Sequence, residues 1–119
     1  MFRILSLILL TNLYLIGPSP AQPGFAIDVQ WYKENKETNE AKIFISGIHE
    51  GISWSRAVTL HIGGRPTYCI AGNKIITGRD AISLLDGYIV RNEPKHSDPI
   101  AMIMIFAMQE SFPCNNTEN

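Results

Sequence analysis

Two cysteines, Cys69 and Cys114, are the only ones in the 119-residue chain, and they constrain its folding more than any other feature. The chain opens on what reads as an export signal, so the pair meets an oxidising compartment. There two lone thiols form a staple rather than a catalyst. Neither belongs to a Cys-x-x-Cys redox pair. The staple would close a loop of about 45 residues, a constraint worth about 4 kcal/mol by chain-entropy reasoning. A domain this small has a limited core, so a covalent bond of that value matters.

The leader covers residues 1–21. Arg3 supplies a positive start, and Ile4 to Ile16 is mostly leucine and isoleucine. Gly17, Pro18 and Pro20 break the run, and Ser19-Pro20-Ala21 places small residues ahead of a cleavage point between Ala21 and Gln22. The apolar run has about 13 residues, short of the roughly 20 that a membrane span requires. The expected mature chain is therefore a single domain over residues 22–119, without a membrane anchor after cleavage. It carries nine Lys/Arg and eleven Asp/Glu, net −2. That balance offers no electrostatic basis for nucleic-acid binding, which needs a basic patch.

The pattern along the chain predicts an all-α fold, a small antiparallel bundle of three or four short helices. Phe25–Tyr32 reads as a short helix or extended arm, and the polar segment Lys33–Asn39 as a turn. Thr38 or Asn39 can cap a helix running to about Leu60, with Ala41, Ile45, Ile48 and Ile52 at helical spacing and Phe44 beside them. Gly47 and Gly51, four apart in that helix, read as a site of close helix packing, with an exposed glycine binding surface as the alternative. A loop over His61–Asn73 follows, anchored at Tyr68 and Cys69.

Thr77 and Asp80 have the spacing of a capping box, and Ile82, Leu85 and Ile89 form the stripe of the helix that follows. Pro94 ends it. Asp98 is expected to cap the last helix, with Pro99 at its first position. Ile100–Met108 is apolar throughout, which suits a buried helix or an oligomer interface. Its three methionines read as core filling. The two cysteines thus enclose the two C-terminal helices.

No motif for catalysis stands out. His49, His61 and His96 have no serine or acid partner fixed by spacing, and read as surface or helix-end residues. Glu50, Asp80 and Asp86 carry no special signal as an acid pair. There is no His-Glu-x-x-His, and adjacent His49 and Glu50 point apart on a helix. The glycines of the 61–73 loop lack the Gly-Lys-Ser/Thr of a phosphate loop. No cofactor, metal site or catalytic residue is expected. Asn115-Asn116-Thr117 has the form of an N-glycosylation acceptor, which matters only in a eukaryotic secretory pathway.

Several segments resemble the Tai-type immunity proteins of bacterial type VI secretion systems, also called the Rap/Tai immunity family. They are Gly47-Ile48-His49-Glu50-Gly51-Ile52-Ser53-Trp54, Tyr68-Cys69-Ile70, the helix from Thr77 to Pro94, and Glu110-Ser111-Phe112-Pro113-Cys114. The resemblance spans roughly 40–114, and its most specific part is the hydrophobic helix closing in Phe-Pro-Cys. It implies a periplasmic, all-helical, non-enzymatic protein that neutralises a secreted peptidoglycan-cleaving amidase effector, with members commonly dimeric. On this resemblance Cys69 and Cys114 match a family disulfide, and Gly47 and Gly51 a helix packing position. Many relatives have a second cysteine pair near the positions of Lys33 and Ala41; its absence here implies a less firmly fixed N-terminal arm. The alternative function is a non-catalytic structural protein of the cell envelope, a homodimer through the Ile100–Met108 helix. A third, small wall- or glycan-acting enzyme would need an acid pair or a His-acid pair in a cleft.

Overall fold

Short side chains that cap free N–H groups mark where three of the four helices begin. The computed structural model describes residues 27–115; the leader, its cleavage point and the segment 22–26 lie outside the described residues. Four helices follow one another: α1 Val29–Asn35, α2 Asn39–His61, α3 Gly78–Asn92 and α4 Ile100–Ser111. They form a mostly antiparallel all-α bundle with one disulfide, as expected. α2, at 23 residues, starts after its Thr38 cap and ends within a residue of the expected Leu60.

The Thr38 hydroxyl accepts from Ala41 N at the start of α2. At the start of α3, Asp80 N donates to Thr77 Oγ1 at 3.2 Å, and Thr77 N donates to Asp80 Oδ2 at 2.8 Å. This is the reciprocal box that the spacing predicts. Glu93 ends α3 in the left-handed region (φ 45°), directly before Pro94. The start of α4 differs from expectation. Pro99 is the capping residue rather than the first helical one, and no side chain caps the helix. The Asp98 carboxylate instead accepts from Lys95 N at 2.9 Å, closing the preceding turn, while its carbonyl accepts from Val29 N.

The N-terminal arm combines both expected forms. Asp28 is extended and bridges to Pro99, then caps α1 by accepting from Trp31 N at 2.8 Å. The helix continues through Lys33–Asn35, which the composition suggested was already turn. Those polar residues are the solvent side of a helix whose Val29 and Tyr32 are buried.

Nor is the arm loosely held. Gln30 N donates to His96 O at 3.0 Å and Ile100 N to Ile27 O at 2.9 Å, pinning the arm to the α3–α4 connection. The Tyr32 hydroxyl donates to Asp86 at 2.9 Å, and Lys36 lies 3.3 Å from the same carboxylate. Burial, then the bond to Asp86, raises the Tyr32 phenol well above its ordinary value. Backbone bonds and a buried aromatic side chain thus fix the arm to the bundle without a second disulfide.

The core joins Val29 and Tyr32 of α1, Ile45 of α2, Leu85 and Ile89 of α3, and Ile100, Ile103, Met104 and Met108 of α4. Met104 and Met108 fill the core as expected, but Met102, Ala101 and Phe106 stay exposed. Cys69 and Cys114 are bonded, with Cα atoms 4.9 Å apart, and Cys69 N donates to Phe112 O at 2.8 Å. The loop before α3 is therefore fastened to the segment after α4. Gly63 and Gly72 turn that loop with φ of 77° and 61°, conformations that suit glycine.

Candidate functional site

The second helix is apolar on two opposite sides, and only one of them meets the bundle. By its helical rise α2 is about 34 Å long. Its inner side buries Ala41, Ile45 and His49, with Ile48 and Ile52 packed at the edge. On its outer side Ile43, Trp54 and Val58 are 74%, 68% and 57% exposed. Positions 43, 47, 54 and 58 are four, seven and four apart, close to whole helical turns, so they line one stripe.

Gly47 and Gly51 lie on or beside this stripe. A β-carbon added at either would meet nothing within 4 Å. The close packing expected of these glycines is therefore not made among the described residues. The reason is rotational: α3 and α4 pack against the side of α2 that carries Ile45, and the glycines sit at the open edge of the α2–α4 contact.

Between α2 and α4 runs an open groove of about 390 Å³. Ile48 and Ile52 from α2 and Ala101 and Ile105 from α4 give it an apolar surface, and the two glycines leave its rim low. One end is polar, with Ser55, Thr59 and Thr67 beside the guanidinium groups of Arg56 and Arg65. Arg56 is held in place: its Nε donates to Tyr68 O at 3.1 Å and its guanidinium stands 5.5 Å from the centre of the Tyr68 ring. Tyr68 is fully buried, and its hydroxyl has no hydrogen-bond partner among the described residues. Arg65 and Thr67 come from the loop that the disulfide fastens. This site can bind an apolar segment that carries negative charge at one end.

Two of the three histidines lie as expected and one does not. His61 ends α2 and His96 lies in the α3–α4 connection, both exposed. His49 is not a surface residue: it is 4% exposed, on the inner side of α2. Its Nε2 lies 3.3 Å from Ser53 Oγ, one helical turn on, and no carboxylate hydrogen-bonds to the ring among the described residues. Asp80 is engaged in the α3 capping box, and Asp86 by Tyr32 and Lys36. Glu50 is exposed. No group of three or more His, Cys, Asp or Glu suited to a metal ion occurs among the described residues.

Burial holds the His49 ring below its ordinary value of 6.5, against the opposing pull of Glu50 and Asp80. With the folded value depressed, the unfolded chain takes up the proton first. His49 therefore costs no stability well above pH 6.5 and removes stability as the pH falls below that value towards the folded one. Urea midpoints measured from about pH 8 to about pH 5 should fall for the native chain and stay nearly level for His49→Gln. Parallel curves would locate the effect elsewhere. Two carboxyls act at lower pH. Asp80 is held below the usual range by hydrogen bonds from the Thr77 backbone and hydroxyl, and Glu110 by Asn92 and then Arg91. Both lose their favourable interactions only as the pH drops through the carboxylate range.

The stripe and the two arginines escaped the sequence reading. The signal for the stripe was there: Ile43, Trp54 and Val58 repeat at helical spacing on the side away from Ile45. Nothing local marks Arg56 and Arg65 as neighbours, because the fold of the 62–77 loop brings them together. The scan against protein-family models gave no match, and neither did the searches of curated proteins and of solved structures.

Proposed function

We propose that the mature chain is an exported, non-catalytic binding protein of the periplasm. It inhibits a secreted peptidoglycan-cleaving amidase delivered by a type VI secretion system. The observation that carries the binding part of this reading is the α2–α4 groove, apolar along its length and ended by Arg56 and Arg65. An inhibitor needs a rigid, partly apolar surface with a few fixed polar groups, and Arg56 is fixed on Tyr68. The choice of an amidase as partner rests on the resemblance of the Gly47–Trp54, Tyr68–Ile70 and Glu110–Cys114 segments to Tai-type immunity proteins.

The test has two arms. The mature chain serves as bait in a periplasmic pull-down, and the gene is co-expressed with the captured hydrolase. A captured amidase and restored growth are the expected results. Arg65→Glu with Ile105→Glu, both changes at the groove, should abolish capture while the helical circular-dichroism spectrum persists. Capture of no cell-wall hydrolase, together with no protection from one encoded beside this gene, would count decisively against the reading.

A second reading is a homodimeric structural protein of the envelope. The outward-facing Met102 and Phe106 of α4 favour it. It predicts a stable dimer in the periplasm and no hydrolase partner.

A further inference from the structure

The walls of the α2–α4 groove restrict the conformation of any chain that fills it. Its apolar surface comes from Ile48 and Ile52, one turn apart on α2, and from Ala101 and Ile105, one turn apart on α4. The backbone N–H and C=O groups of both walls are bonded along their own helices. A guest strand laid between them would find no backbone partner, and a buried amide left unpaired is costly. A guest helix bonds its own backbone and offers only side chains to the groove. The rows of side chains four residues apart on α2 and α4 also suit packing against a third helix.

The polar end of the groove selects which end of such a helix it receives. Arg56 uses its Nε on Tyr68 O at 3.1 Å, which leaves its two terminal nitrogens as donors. Arg65, from the 62–77 loop, lines the same end and is exposed. Neither guanidinium meets a carboxylate among the described residues. A guanidinium donates and never accepts. The last turn of a helix ends in C=O groups without partners and carries partial negative charge, while the first turn ends in free N–H groups and carries positive charge. The two arginines therefore fit the C-terminal end of a helix and repel the N-terminal end.

We infer that the groove receives an amphipathic helix of a partner protein, with the C-terminal end of that helix and an acidic side chain of its last turn at Arg56 and Arg65. Ile48 to Thr59 spans about 17 Å of α2, which sets the guest at about three turns. Arg56 and Thr59 lie towards the C-terminal end of α2, so the guest runs in the same sense as α2. A carboxylate in the last turn weakens a free helix, because that end is already negative. Against the arginines the same carboxylate is favourable, so it adds selectivity as well as affinity. This inference rests on the reading of the groove as the protein's binding surface, and it names the element that a partner presents there.

The experiment uses the whole mature chain and two synthetic peptides of about 15 residues, a length at which a free helix is marginal. Both have blocked ends and consist of alanine, glutamine and leucine, with the leucines along one side. One carries two glutamates in its last turn; the other has the same composition with the glutamates in its first turn. Fluorescence anisotropy should show the last-turn peptide binding about tenfold more tightly at low salt, a difference that shrinks as salt is added. Its helical circular-dichroism signal should rise on binding. Ile105→Glu should abolish binding of both peptides. Arg65→Glu should shift the affinity ratio, by about tenfold, towards a last-turn peptide with lysines in place of the glutamates. Equal binding of the two orders, tighter binding of the first-turn peptide, or no binding of either at millimolar concentration overturns the inference. Displacement of the peptide by decanoate at a lower concentration would give the groove to a small amphiphile, and displacement by self-association would give it to a second copy; each overturns the inference. A chain that captures no hydrolase yet prefers the last-turn peptide overturns the inhibitor reading alone. One that captures a hydrolase through the groove and binds both peptides alike overturns this inference alone.

Discussion

Replacing both Cys69 and Cys114 by alanine is expected to cost about 4 kcal/mol of folding stability. The bond spans 45 residues and encloses α3 and α4, so without it the unfolded chain gains the freedom of a loop that holds half of the described bundle. Stabilities of single domains lie near 5–15 kcal/mol, so about 4 is a large part of the total. For a chain of this length the melting temperature should fall by roughly 15–30 °C.

The backbone bond from Cys69 N to Phe112 O would remain as a weak tether. It cannot replace a covalent link, because a net hydrogen bond contributes only about 1 kcal/mol. Urea unfolding of the native and double-alanine chains checks the magnitude, and a shift on gels with and without reductant checks the bond. Amide exchange should also quicken in the 62–77 loop, which carries Arg65 and Thr67 to the groove. A loss of stability below about 1 kcal/mol would show that the unfolded chain is already constrained, contrary to the loop-closure account.

Leu85→Ala should cost about 3 kcal/mol. Leu85 is completely buried on the inner side of α3, within the cluster that includes Ile45, Ile103, Met104 and Met108. Truncation removes apolar contacts and leaves a cavity that rigid helices fill only in part. Phe106→Ala is the control. It removes a larger side chain from the outer side of α4, where Phe106 is 38% exposed, so its cost should be clearly smaller. Denaturant curves for the two variants compare them directly. An equal or larger loss for Phe106→Ala would mean that α4 is rotated from the orientation described.

Helix starts were legible because their causes are local. Thr38, and Thr77 with Asp80, carry their hydrogen bonds within three residues, so spacing alone points to them. The end of α3 at Pro94 is equally local. Asp98 misled for the opposite reason: its carbonyl and its carboxylate are both engaged, one by Val29 from the far end of the chain and one by Lys95. The same distant contact holds the N-terminal arm, which the lack of the relatives' second cysteine pair implied was less firmly fixed. Among the candidate residues, the bonded cysteine pair could be read from there being two cysteines in the chain. The burial of His49 could not, since a histidine on the border of an apolar stripe reads equally well as exposed.

The α2 helix marks the boundary most clearly. Its existence, its start at Thr38 and the staple around the two following helices are encoded in neighbouring residues and in the number of cysteines. Spacing pointed to the side with Ala41, Ile45, Ile48 and Ile52, which is the side that packs, but it did not exclude the other side, where Ile43, Trp54 and Val58 also repeat at helical spacing. Packing against α3 and α4 resolves the choice. It buries the side with Ile45 and leaves Gly47, Gly51 and Trp54 in the open. Periodicity reports that a helix has an apolar side; burial depends on which neighbours the rest of the chain can bring to it.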